Sequence, residues 1–184
     1  YQWGAQLEVG SFPTSYIPTT DAAVTRAVDL ASMTGANFSS WYRQDEGTIV
    51  TEWALGYDKL GAYVLSISDG TSSNIIRSVY YTSSGASDDS TVVVGGAAQC
   101  ILSGTSQLAL STRYKNAFAY KLNDFARSAS GAAVITDTAG TLPVVNQLGI
   151  GNGYGIGILN GHIARITYYP QRLTDAELQA LSTP

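Results

Sequence analysis

The chain has 184 residues and a formal net charge of −4, so it is long enough to bury a two-layer core and has no electrostatic basis for binding nucleic acid. Only 13% of its residues are charged, whereas it contains 19 glycines and 12 tyrosines, a composition typical of a β-protein with many turns and a neutral, hydroxyl-rich surface. Its apolar runs are far shorter than the ~20 residues that span a membrane, so membrane insertion is not expected.

The first 25 residues differ in character from the rest. Residues 1–9 alternate as a single strand, which is not stable without a partner. Pro13 and Pro18 follow, and they favour an extended path and lack the amide that continues a β-ladder. We therefore predict that residues 1–25 are the closing strand and linker of an upstream module and that residues 26–184 form the main domain.

The main domain shows a succession of short strands separated by turns. This pattern predicts an all-β, two-sheet antiparallel sandwich or jelly roll. The predicted strands are residues 47–57, 62–68, 74–82, 91–102, 107–112, 115–122, 125–128, 132–136, 147–150 and 161–169.

Turn residues indicate how these strands connect. The run from Asp69 to Asn74 predicts a hairpin, and a hairpin at Gly61 would place Tyr57 beside Tyr63. Residues 83–90 are predicted to form a polar loop. Residues 107–112 and 115–122 are predicted to pair, and residues 129–131 to form a short hairpin loop. A separate signal, Gly95-Gly96, predicts a bulge within one long strand.

Only the C-terminus has a helical pattern. Thr174 and Glu177 have the spacing of a capping box. Leu173, Leu178 and Leu181 share one face, with Leu173 in the position of a hydrophobic staple. We predict one short helix lying over an edge of the sandwich.

Two sets of residues carry a family resemblance. Residues 3–8 (WGAQLE) followed by residues 10–19 (GSFPTSYIPT) resemble the closing strand and exit segment of β-sandwich modules in bacteriophage tail proteins. The rest resembles the concanavalin A-like, laminin-G-like jelly-roll domain found in lectins and glucanases. The segments that carry this second likeness are residues 38–42 with 46–48, 66–70, 108–110, 120–125, 159–170 and 172–181.

This resemblance implies a fold and a setting. The setting would be a phage tail fibre or tailspike, a virion appendage assembled in the bacterial cytoplasm and used for host attachment. Fibres of this kind are usually trimers, so a homotrimer is implied. The fold itself hosts lectins, hydrolases and scaffolds, so it does not imply a ligand.

Catalytic residues are sparse in the sequence. A retaining glycosidase needs two carboxyls about 5–5.5 Å apart, but Glu46 and Glu52 are six positions apart with Glu46 in a turn. His162 is the only histidine. It could act as a general base with Tyr154 and Arg165, although packing against Tyr168 is the favoured interpretation. We therefore expect no enzymatic activity.

Metal binding has weak support. The lone cysteine, Cys100, and the lone histidine cannot assemble a typical zinc site, and Cys100 is predicted to be a small buried residue. Oxygen-rich loops containing Asp69, Asp88 and Asp89 are compatible with Ca²⁺. They lack the spacing of a dedicated calcium loop, so ordinary polar turns are favoured and no cofactor is required.

Aromatic side chains are the remaining candidates, because sugars stack on exposed rings. Trp41 and Tyr169 are expected in the core. The candidate carbohydrate-binding residues are Trp53, Tyr57, Tyr80, Tyr81, Tyr114 and Tyr154. The leading hypothesis is a non-catalytic module that recognises host-surface carbohydrate. The alternatives are a structural or trimerising spacer and, less favoured, a glycan-degrading enzyme.

Overall fold

The computed structural model describes residues 30–56, 61–81, 87–104 and 108–184, together with Tyr16, Pro18, Asp21, Ala22 and Val24. The strand predicted at residues 1–9 and the boundary near residue 25 lie outside the described residues. In chain order the elements are β1 (Ala31–Thr34), α1 (Ala36–Ser39), β2 (Glu46–Leu55), β3 (Ala62–Ser68), β4 (Ile75–Tyr81), β5 (Ser87–Val94), β6 (Ala97–Ser103), β7 (Arg113–Lys121), β8 (Asp124–Ala129), β9 (Ile135–Asp137), β10 (Gln147–Ile150), β11 (Gly161–Tyr169) and α2 (Asp175–Ser182).

The strands form two antiparallel sheets. The six-stranded sheet has the order β1-β10-β3-β4-β5-β6, and the five-stranded sheet has the order β11-β2-β7-β8-β9. This arrangement confirms the predicted all-β jelly-roll sandwich, to which the structure adds the one-turn helix α1. Among the described residues, no helix is long and apolar enough to cross a membrane.

The core lies between the two sheets. Alternation along β2 sends Ile49, Thr51 and Trp53 inward, where they are at most 5% exposed, as expected for residues that share one face of a strand. Trp41, predicted to be a core residue, is half-buried and packs edge-on against Phe38, with ring centroids 5.2 Å apart.

Several predicted connections are corrected by the topology. The hairpin predicted at Gly61 is wrong, because β2 and β3 belong to different sheets. Gly95 and Gly96 do not form a bulge in one strand. They form the two-residue turn of the β5–β6 hairpin, with φ values of 58° and 82° that favour glycine. The neighbouring register shift lies instead between Val92 and Val93.

Two further strand predictions change. The described part of the segment predicted as a strand at 107–112 is a loop, and β7 pairs with β2 and β8. The hairpin that joins β8 to β9 is confirmed, with a longer loop than predicted. The predicted polar loop at 83–90 is wrong at its C-terminal end, because Asp88 and Asp89 lie within β5.

The C-terminal helix has the predicted caps. The Thr174 side chain accepts from the Glu177 amide, and the Glu177 carboxylate accepts from the Thr174 amide. Leu173 and Leu178 are buried together as a hydrophobic staple. However, α2 covers the outer face of the five-stranded sheet, not its edge: the same cluster contains Val50, Ala117, Ala119 and Ala126.

Candidate functional site

Two of the predicted sugar-binding aromatics are in the core. Trp53 is fully buried and Tyr80 is 1% exposed, with their ring centroids 6.4 Å apart. The prediction is corrected for both residues, because a ring that is closed off from solvent cannot stack on a saccharide.

Tyr114 lies where this aromatic cluster meets the surface. Its half-buried ring is 5.9 Å from the Trp53 ring, and its hydroxyl accepts a hydrogen bond of 2.6 Å from the Ala109 amide. Tyr114 also lines a cleft of about 270 Å³. Of the predicted aromatics, it is the one whose ring reaches a described cavity.

The floor of this cleft is a buried ion pair between Asp88 and Arg127. Asp88 is on β5 and Arg127 on β8, so the pair joins the two sheets across the interior. Gly104 lies directly above the pair, and a Cβ at that position would collide with the Asp88 carboxylate. Burial raises the pKa of Asp88, while the Arg127 guanidinium acts in the opposite direction.

This cleft is better explained as structure than as a binding site. The Asp88 and Arg127 side chains are only 8% and 2% exposed, and each charge is directed at the other. A second polar link between the sheets runs parallel to it, from the Asn116 amide to Ser90 and Ser78. Buried charges in proteins are usually paired in this way.

The remaining predicted aromatics are dispersed. Tyr154 is half-buried and packs edge-on against Tyr63 at 6.3 Å, on the outer side of the six-stranded sheet. Tyr57 lies outside the described residues. Tyr81 belongs to β4, but its side chain lies outside the described part of the structure.

The three candidate metal ligands do not converge. Asp69 accepts hydrogen bonds from Thr71 and Asn74 within its own turn, and these hold the pKa of Asp69 below its usual value. Asp88 is engaged by Arg127, and Asp89 points to the opposite face of β5. Within the described ranges, no group of three or more His, Cys, Asp or Glu side chains could hold an ion.

The residues considered for catalysis are also separated. Glu46 and Glu52 lie on β2 with different partners: Glu46 is near Arg43 and Lys121, and Glu52 pairs with Arg113 at 2.9 Å. Glu52 lines a cavity of about 230 Å³ beside β2. Among the described residues that line this cavity, Glu52 is the one carboxylate. His162 is exposed on β11, so its predicted packing against Tyr168 is wrong.

A larger groove was not predicted from the sequence. It has a volume of about 470 Å³, within the usual range for small-molecule sites. We call it the α1 groove, and its lining residues are Thr34, Gly35, Phe38, Ser39, Tyr42, Gln44, Val145, Asn146 and Gln147.

The α1 groove combines an apolar floor with a neutral polar rim. The half-buried ring of Tyr42 forms the floor, and the buried Phe38 ring stacks against it from the core side, with ring centroids 4.6 Å apart. Burial raises the pKa of the Tyr42 hydroxyl, so this ring stays uncharged. Among the described residues, none hydrogen-bonds to the side chains of Thr34, Ser39 or Asn146, which are exposed at the rim. These hydroxyl and amide groups are therefore free to bind a ligand.

Sequence reasoning missed this groove because its two walls are far apart in the chain. β1 pairs with β10 in the register Thr34 to Gln147, and this pairing brings residues 34–44 against residues 145–147. In the segment that contains Phe38 and Tyr42, the sequence predicts a location only for Trp41, in the core. One signal was available: a polar residue follows each of these aromatic residues closely, Ser39 after Phe38 and Gln44 after Tyr42.

Comparison with known proteins rests on structure. No protein-family model and no curated protein sequence matches the chain. The CBM40 of Ruminococcus gnavus IT-sialidase, solved with bound α2,3 sialyllactose, aligns with a TM-score of 0.64 and 17% identity over 79% of this chain and 86% of that one. The SAP-like pentraxin from Limulus polyphemus aligns with a TM-score of 0.55 and 14% identity over 78% of this chain and 73% of that one.

The chain has a lectin-like jelly-roll fold. A similar region occurs within the NanB sialidase from Streptococcus pneumoniae, with a TM-score of 0.63 and 15% identity. That alignment covers 84% of this chain but only 27% of the sialidase chain. Identities this low establish the fold and leave the ligand to be argued from the site.

Proposed function

We propose that this chain is a non-catalytic carbohydrate-binding module and that the saccharide binds in the α1 groove. The observation that carries the proposal is the composition of the groove: the half-buried Tyr42 ring beneath, unpaired hydroxyl and amide groups around it, and no charged side chain in the lining. A sugar ring presents an apolar face for such a floor and hydroxyls for such a rim.

Two further observations support this function. The CBM40 that shares the fold was solved with sialyllactose, so a jelly roll of this shape can hold a saccharide. Catalysis is disfavoured because Glu52 has no second carboxylate in its cavity and the α1 groove contains no carboxylate, general base or histidine in its lining. Glycoside hydrolysis by the usual routes needs two such groups flanking the bond.

The setting we propose is a phage tail appendage that attaches to host-surface carbohydrate, with the protein located in the virion as a homotrimer. Its support is the sequence resemblance of residues 3–19 to modules of phage tail proteins, followed by a segment that resembles a concanavalin A-like domain. Sedimentation analysis of the chain tests the assembly: a monomer at high concentration would contradict a trimerising role for this domain.

A glycan array followed by titration calorimetry tests the binding function. We expect Ser39→Arg to abolish binding of the recognised glycan, because the long side chain would fill the groove from an exposed position on α1. The matched control is Ser72→Arg, which makes the same change in the exposed β3–β4 turn and should retain binding. Both variants should keep the thermal stability of the parent chain.

Two results would contradict the proposal, one on the location of the site and the other on glycan binding itself. Equal binding by Ser39→Arg and the parent chain would show that the glycan binds elsewhere. Absence of binding by the parent chain to any glycan at millimolar concentration would favour a purely structural spacer.

A further inference from the structure

The outer face of the five-stranded sheet is only half covered by α2. On the uncovered half, Arg165, Glu52 and Lys115 occupy directly paired positions on β11, β2 and β7. Arg113 precedes Lys115 by two residues on β7, so its side chain points to the same side of the sheet. We call these four residues the cationic face.

This surface has a charge opposite to that of the whole chain. It carries three cations and one carboxylate, whereas the chain has a net charge of −4. Arg113 pairs with Glu52 at 2.9 Å. Lys115 donates to the backbone carbonyl of Thr183 at 2.9 Å, and a carbonyl leaves the ammonium charge unbalanced.

Arg165 is the cation with no partner. It is exposed, and its guanidinium forms no hydrogen bond or ion pair among the described residues. The guanidinium is planar and presents paired N–H groups that fit both oxygens of a carboxylate. An unpaired arginine flanked by a second cation is therefore suited to bind a carboxylate.

A cavity adjoins this arginine. Its volume is about 230 Å³, and Arg165, Lys115 and Glu52 share its lining with Thr167 and Tyr169. Within the described structure, the hydroxyls of Thr167 and Tyr169 are not engaged in hydrogen bonds, so they are free to bind sugar hydroxyls. The last turn of α2 closes one side through Ala180 and Leu181.

We propose that the cationic face binds an acidic saccharide, with Arg165 holding the carboxylate, Lys115 adding a second positive charge, and Tyr169 and Thr167 contacting the hydroxyls. An extended polyanion fits less well, because Glu52 interrupts the cations and the chain as a whole would repel it. This site is distinct from the α1 groove, since the two share no lining residue, and it does not depend on the groove binding a sugar.

Calorimetry with α2,3-sialyllactose and lactose as probes tests the proposal, because the two differ by the acidic sugar. We expect the parent chain to bind sialyllactose more tightly than lactose, with an affinity that falls as salt is raised. Arg165→Gln should lower the affinity for sialyllactose about tenfold, the loss typical of a charged hydrogen-bonding group. Arg165→Lys should give an intermediate loss, because it keeps the charge but not the paired donors.

The matched control is Lys121→Gln, which removes one positive charge from the same sheet at the C-terminal end of β7, where Lys121 is half exposed and near Glu46. Its affinity for sialyllactose should equal that of the parent chain. The proposal is overturned if Arg165→Gln and Lys121→Gln bind sialyllactose equally, or if the parent chain does not distinguish sialyllactose from lactose. Binding that is lost in Ser39→Arg and retained in Arg165→Gln would assign the acidic sugar to the α1 groove instead.

Discussion

At the scale of single residues, the interior of the sandwich is held by polar as well as apolar contacts. Asp88 meets Arg127, and Asn116 meets Ser90 and Ser78, so both sheets are joined at two polar points. Buried ion pairs add little stability relative to apolar residues, but an isolated member is costly. They also restrict how the two sheets can slide past each other.

We expect Asp88→Leu to destabilise the fold by about 3–5 kcal/mol, because it leaves the Arg127 guanidinium buried without its partner. The double variant Asp88→Leu with Arg127→Met should recover a large part of this loss. Urea unfolding measures both changes. Asp45→Ala is the control, since Asp45 pairs with Arg43 at the surface, and its unfolding curve should match that of the parent. Additive losses in the double variant would contradict the interpretation.

Residue burial could be predicted only in part. Cys100 is buried as expected, and burial raises the pKa of its thiol to about 12. Alternation within the predicted strand at 47–57 places Ile49, Thr51 and Trp53 on one face. It did not show which face is inward, because Val50 on the opposite face is also apolar. The structure supplies the reason: α2 covers that opposite face at Val50.

At the scale of elements, features that depend on neighbouring residues were predicted correctly, whereas the pairing of strands distant in the sequence was not. The capping box at Thr174 and the turn between β3 and β4 were both found, because each depends on residues a few positions apart. The pairing of β2 with β11 and β7 was missed, since consecutive strands in this topology cross between sheets. Gly95-Gly96 was recognised as a special position, but its hairpin could not be told from a bulge.

We expect Thr174→Ala to destabilise the protein by about 1 kcal/mol, the usual effect of losing an N-cap. Thr174 also lowers the pKa of Glu177 by hydrogen bonding. Because the pKa is lower in the folded chain, this contribution is present above the usual pKa of a glutamate and is lost as the pH falls through the folded value. The difference in stability between parent and variant should therefore become smaller in acid, without vanishing, because the bond from the Glu177 amide to the Thr174 hydroxyl does not titrate.

The control is Thr138→Ala, at an exposed loop threonine that has no hydrogen bond among the described residues. It should unfold with the parent at every pH. A Thr174→Ala variant that differs from the parent equally at neutral and acid pH would show that the Glu177 carboxylate does not contribute through its charge.

At the scale of the whole molecule, the fold class followed from composition and strand spacing, whereas the candidate sites did not. The α1 groove joins residues about a hundred positions apart through the β1–β10 pairing. The cationic face requires the register of three strands. Of the aromatic residues chosen from sequence, Trp53 and Tyr80 lie in the core, because a two-layer sandwich needs large side chains between its sheets.

The assignment of the N-terminal segment, residues 1–25, to an upstream module comes from sequence. The described strands of both sheets lie within residues 31–169, and each is paired with another described strand. We therefore expect deletion of residues 1–20 to change the melting temperature by no more than a few degrees, where 1 kcal/mol corresponds to roughly 2–4 °C for a domain of this size. Leu178→Ala is the comparison, since it truncates a fully buried side chain of α2 that packs against the five-stranded sheet and should lower stability by about 2–5 kcal/mol. A deletion that lowers the melting temperature as much as Leu178→Ala would show that Trp3 and Leu7 belong to the main core. The domain would then begin at residue 1.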